Sequence, residues 1–109
     1  MNNFPSIKFK DYAGAIAEDI LSSVNEYNRQ LDNEHEAGVM LASFGQTITV
    51  SITGVGNIGA KLVKFTGNLA DTGAPAELIQ HVSQLNFLLV ALRRENPEEP
   101  KKQIGFIQE

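Results

Sequence analysis

Between Gln46 and Thr53 the sequence alternates without a break (QTITVSIT). Ile48, Val50 and Ile52 share one parity; Thr47, Thr49, Ser51 and Thr53 share the other. Successive strand side chains point to opposite faces, so a period of two describes a half-buried β-strand and no helix. The aliphatic side of such a strand needs a cover, and the rest of the chain has to supply it.

Upstream, the period is helical. Ile16, Ile20, Val24, Tyr27 and Leu31 fall on one stripe, which Ala13, Ala17 and Leu21 widen. This predicts a helix from Asp11 to Leu31, with the Asp11 carboxylate as N-cap and Gly14 weakening the first turn by about 1 kcal/mol. After Glu36 the pattern becomes extended. Ala37–Phe44 (AGVMLASF) reads as a strand, and Gly45 as the hairpin turn into Gln46–Thr53. Lys61–Thr66 follows as a strand with Val63 and Phe65 inward, then a loop turning at Asp71-Thr72-Gly73, then a strand over Ala76–His81. Leu85, Leu88, Leu89 and Leu92 have helical spacing, so a second helix is predicted to begin at Ser83 as N-cap and to end at Arg93 and Arg94. Ile104–Ile107 reads as a short closing strand in competition with a frayed tail.

The expected architecture is an α+β domain in two layers. An antiparallel meander of four to five strands carries two helices on one face, in the order α-β-β-β-β-α with a possible final β. One domain spans residues 1–109, with 1–10 irregular and 96–109 a charged connector plus strand or tail.

Composition narrows the chemistry. The chain of 109 residues has no cysteine, which removes disulfides, thiolate metal sites and cysteine nucleophiles together. Nine Lys and Arg against thirteen Asp and Glu give a net charge of -4, and the basic residues are scattered, as the pairs Lys8/Lys10, Lys61/Lys64, Arg93/Arg94 and Lys101/Lys102 with Arg29 alone. That is no footprint for phosphate neutralisation, so no nucleic-acid partner is expected. Met1–Lys10 lacks an apolar run of signal-peptide length and no uncharged stretch is long enough to span a bilayer, so a cytoplasmic protein without a membrane partner is expected.

The motif most open to misreading is Gly54-Val55-Gly56-Asn57-Ile58-Gly59, a match to G-x-G-x-x-G with Asp71 downstream. In a dinucleotide fold it would open a long helix leading to a second parallel strand. Ala60–Gly67 is too short and too β-prone for that. The segment is expected to be a hairpin loop, and a strand over Ala60–Thr66 would eliminate the nucleotide reading. No cofactor is expected.

Other polar groups are weighed in the same way. Asp32–Glu36 (DNEHE) is oxygen-rich but has no metal-binding spacing, and reads as a solvated connection. His81 beside Ser83, with Asp71 or Glu77 as helper, is the place to look for hydrolase-like chemistry, although no nucleophile elbow surrounds Ser83. The row Thr47, Thr49, Ser51 and Thr53 has no obvious cover and is the candidate interface, by face packing or edge pairing.

Leu41–Gln46 (LASFGQ), Leu78–Leu85 (LIQHVSQL), Glu34-His35-Glu36 and Ile104-Gly105-Phe106 resemble a small bacterial family known only as a domain of unknown function, over about Gln30 to Phe106. The resemblance implies no activity. It implies that the three glycines of Gly54–Gly59 are not a family feature. It makes Gln46, Gln80, His81 and Gln84 the polar site candidates, with a structural role equally open to them. The favoured expectation is a non-enzymatic protein acting through protein contacts as a homodimer. The alternatives are a small-ligand or nucleotide binder using Gly54, Gly56 and Gly59, and a hydrolase centred on His81.

Overall fold

The computed structural model describes residues 12–43 and 45–107. The expected Asp11 cap and irregular N-terminus lie outside them. Helix α1 (Tyr12–Gln30) is followed by strands β1 (His35–Ser43), β2 (Gln46–Ile58), β3 (Leu62–Leu69), β4 (Pro75–His81), β5 (Leu88–Arg93) and β6 (Gly105–Ile107). They form one six-stranded sheet ordered β4-β3-β2-β1-β5, with β6 beside β2. The fold class is α+β, as the two hydrophobic periods require.

Strand β2 is the axis of the sheet. Its first half pairs with β1 (Val39↔Val50) and its second half with β6 (Val55↔Phe106). The β2–β3 register slips by one residue between Ile52 and Gly54, so Thr53 and Gly54 form a bulge. Val39, Val50, Ile52, Val55, Val63 and Phe65 point to one face and are buried there with Ala13, Ala17 and Val24 of α1. Alanines at the centre of the helical stripe bring α1 close to the sheet, while Ile16, Ile20, Leu21 and Tyr27 pack at its flanks. Two buried asparagines on the same helix stitch in distant chain. Asn25 Nδ2 donates to the Ile104 carbonyl at 3.0 Å, and its Oδ1 accepts from the Ile104 N–H, also at 3.0 Å. Asn28 Oδ1 accepts from the Ala37 N–H at 2.9 Å.

Three expectations need correction. First, there is no second α-helix over Ser83–Arg94. Val82–Gln84 is a single 3-10 turn and Leu88–Arg93 is β5, paired with β1 (Val39↔Leu89). Phe87–Leu92 is an unbroken apolar run with no polar stripe, so spacing alone does not choose between helix and strand. The open edge of β1 satisfies its backbone, which decides the matter. The residues leading into β5 cross the α1 side of the sheet and complete the cover that a helix was expected to give. Phe87 packs edge-on against Phe65, with ring centroids 5.0 Å apart.

Second, the sheet is not a simple meander. β1 to β4 run up and down in sequence order, but β5 returns to the far edge and β6 lies parallel to β2. Third, Ser83 does not cap a helix. His81 Nδ1 accepts the Ser83 N–H at 3.1 Å and so caps the 3-10 turn itself.

Candidate functional site

Directly opposed residues of an antiparallel pair share a face, so the register assigns every strand position to one of the two faces. The face turned away from α1 carries Glu36, Gly38 and Met40 of β1, with Thr47, Thr49, Ser51 and Thr53 of β2 beside them. Asn68, Thr66 and Lys64 of β3 and Glu77 and Ile79 of β4 extend it in one direction; Leu88, Val90 and Leu92 of β5 extend it in the other. The four hydroxyl residues thus lie in one row on the face opposite the helix, among the described residues without a helix above them. On the β5 side the face is apolar, with Leu88 60% exposed; on the β3–β4 side Ile79, 47% exposed, stands among polar groups.

The end of this face near Thr53 forms an open cleft of about 900 Å³. Its floor is Glu36, Ser51, Thr53 and Asn68, and its walls are the Ala70–Gly73 turn and the connector after β5. The polar groups of the floor are matched to one another or to nearby backbone. Ser51 Oγ donates to Glu36 Oε2 at 2.8 Å, Thr53 and Thr66 hydroxyls lie 3.2 Å apart, and Asn68 Nδ2 donates to the Gly73 carbonyl at 3.1 Å. Lys64 and Glu77 form an ion pair at 3.3 Å. The basic wall residues hold the backbone together. Arg94 donates to the carbonyls of Asn33, Pro97 and Glu99, and Lys101 Nζ caps the C-terminus of α1 through the Asn28 and Leu31 carbonyls at 2.7 and 2.9 Å. The Glu36–Ser51 pair orders the floor of the cleft.

The four polar candidates are not brought together. Gln46 begins β2 at the β1–β2 turn, whereas Gln80 pairs with Val63, which pairs with Asn57 near the other end of β2. At roughly 3.3 Å per residue that separation is about 35 Å. Gln80 lies on the α1 side, where its buried Oε1 has no hydrogen-bond partner. Gln84 is exposed in the 3-10 turn. His81 Nδ1 also meets Ser83 Oγ at 2.8 Å. The contact is local, and the same nitrogen takes the Ser83 backbone N–H, so imidazole and hydroxyl together close a turn. The suggested helpers are elsewhere: Glu77 is paired with Lys64, and Asp71 sits in the β3–β4 turn at the far end of both strands.

The glycine motif is strand and turn. Gly54 and Gly56 lie within β2, and only Gly59, at φ +60°, turns the chain into β3. A Cβ on Gly56 would stand 2.6 Å from the Ile107 carbonyl oxygen, and one on Gly54 3.0 Å from Ile107 Cγ1. The two glycines therefore make room for β6. β3 runs antiparallel over Leu62–Leu69, so the motif leads into a strand and opens no helix, and the dinucleotide reading falls by its own criterion.

The acidic segment also disperses. Asp32 Oδ1 accepts from the Glu34 N–H at 3.0 Å and contacts His35 Nδ1 at 2.7 Å. Glu34 pairs with Arg93 at 3.2 Å, and Glu36 turns to Ser51. Hydrogen bonding from His35, then from the Glu34 backbone, holds the Asp32 carboxyl below the ordinary aspartate range. No helix among the described residues is long and apolar enough to cross a membrane.

Residues 5–107 match a family of unknown function, DUF6173. The chain belongs to this family. The match is wider than the Gln30–Phe106 stretch of the sequence resemblance and takes in α1. No curated protein and no solved structure matches this DUF6173 chain. Sequence reasoning missed Asn25, Asn28 and Glu36 as organising groups. The detectable signal was two asparagines three residues apart on the inward side of an amphipathic helix, a costly place for an amide unless it is bonded.

Proposed function

We propose that this DUF6173 protein acts through protein contacts and not catalysis, and that it works as a homodimer. The observation that carries the reading is the sheet face opposite α1: a hydroxyl row (Thr47, Thr49, Ser51, Thr53) with Met40 of β1 and then Leu88, Val90 and Leu92 of β5 to one side, Leu88 being exposed. Apolar side chains beside a row of small, uncharged hydroxyls cost little to desolvate, which is the character of a contact surface. The pairing of the groups on the floor of the cleft supports the same reading, since a binding site for a small polar ligand needs donors and acceptors left available there.

Light scattering across a dilution series tests the proposal. A dimer that dissociates on dilution is expected, with a melting temperature that rises with protein concentration. A monomer at millimolar concentration would overturn the homodimer.

A further inference from the structure

We infer that two copies pair edge to edge through β5, with Val90 on the two-fold axis. The inference rests on the homodimer reading and specifies its partner surface. Among the described residues the path of the sheet ends at two outer strands, β4 and β5, and β6, only three residues long, is paired with β2 alone. β4 opens with Pro75 and carries exposed Glu77 in an ion pair with Lys64, both features that discourage further pairing. β5 (LLVALR) has no proline, no charge before Arg93, and an unbroken register with β1. It is the unguarded edge.

The phase of the ladder shows which backbone groups are available. Arg94 N–H donates to the Glu34 carbonyl at 2.8 Å, next to the His35↔Arg93 pair. In an antiparallel ladder bonded and non-bonded pairs alternate, so Leu88, Val90 and Leu92 bond inward to β1. Leu89, Ala91 and Arg93 present their N–H and C=O groups outward.

The side chains then choose the register. With Val90 opposite Val90 of the partner subunit, Leu88 meets Leu92 of the partner subunit and Leu89 meets Ala91 of the partner subunit. Every side chain of the run meets an apolar one, on both faces, and the outward groups of Leu89 and Ala91 find complete partners. Centring on Ala91 instead sets Leu89 against Arg93 of the partner subunit. Centring on Leu89 sets Leu92 against Asn86 of the partner subunit. The run Leu88–Leu92 is therefore self-complementary about Val90, which suits a second copy of this chain better than an arbitrary strand. It also covers Leu88 and joins the two hydroxyl-bearing faces into one surface.

Because the chain has no cysteine, an introduced thiol reports on this geometry alone. Across the axis Val90 occupies a non-hydrogen-bonded pair, whose Cα separation of about 4.5 Å is within disulfide reach. Mild oxidation of the V90C protein should give a covalent dimer, L88C should remain uncrosslinked, and L88C/L92C should crosslink. Ala91→Pro removes an outward N–H from each copy and should weaken association about tenfold to a hundredfold. Equal crosslinking of L88C and V90C would overturn the register. A wild-type dimer in which V90C stays reduced would overturn edge pairing and leave the homodimer standing on another surface. A wild-type monomer at millimolar concentration would sink both, and the V90C result does not depend on how well Ala91→Pro folds.

Discussion

Asn25 shows how much one amide can organise. It is buried, and both of its polar atoms serve the backbone of Ile104. Truncation to alanine strands a donor and an acceptor, each worth about 1–3 kcal/mol when left unmet. Asn25→Ala should therefore lower stability by about 2–4 kcal/mol, read as a lower urea midpoint at unchanged slope. Asp32 makes a different prediction, because its partners act on charge at the surface. Its carboxyl is held below the ordinary range in the folded state, so its contribution is present above the unfolded aspartate pKa and lost as pH falls through the folded value. A carbon-detected NMR titration should place its midpoint below that of a free aspartate. His35→Ala should move it upward, since the His35 contact is the largest cause. An unchanged midpoint would mean that the contact does not persist in solution.

Among the elements, β6 has the sharpest requirement. It lies parallel to β2 over the side of Gly54 and Gly56, and Ile107 fills the space that a side chain at residue 56 would need. Gly56→Val should detach β6 and cost about 2–4 kcal/mol, with amide exchange accelerated at Phe106 and Ile107 and protection in β1 retained. Much of this level was legible beforehand. The strict alternation of β2 and the glycine at each turn announced the β1–β2–β3–β4 succession, and the apolar stripe announced α1. What misled was Leu85–Leu92, where helical leucine spacing coincides with a continuous apolar run. Only the vacancy beside β1 and the Phe65 ring favour the extended form, and both are features of tertiary structure. The bulge at Thr53 and the seat for β6 were equally out of reach, since glycine in a strand looks locally like a loop. At the site, the row Thr47–Thr53 could be placed on one face from parity alone. That Gln46 lies far from Gln80 depends on where a thirteen-residue strand ends, which parity does not report.

At the scale of the molecule, the sequence-distant parts are held by few, well-bonded contacts. The connector after β5 is fastened by Arg94 and Lys101 to carbonyls near the end of α1, and Asn25 secures its arrival at β6. A chain cut after Gln103 should therefore lose far more than a frayed tail. Removing Ile104, a buried core residue, together with Phe106 should convert a single cooperative thermal transition into a broad one of low enthalpy. Calorimetry that finds the full transition would refute this account of how the core closes.

The clamp between Asn25 and Ile104 joins positions 79 residues apart. Asn28 finds Ala37 nine residues on, but the inward amide of Asn25 stays unsatisfied until the chain through Ile104 has been translated. Contacts of such long range close slowly, because the intervening loop loses its freedom before the bond forms. Acquisition of the native state thereby waits on the emergence of Ile104, and the greasy side of β2 stands without its full cover until then.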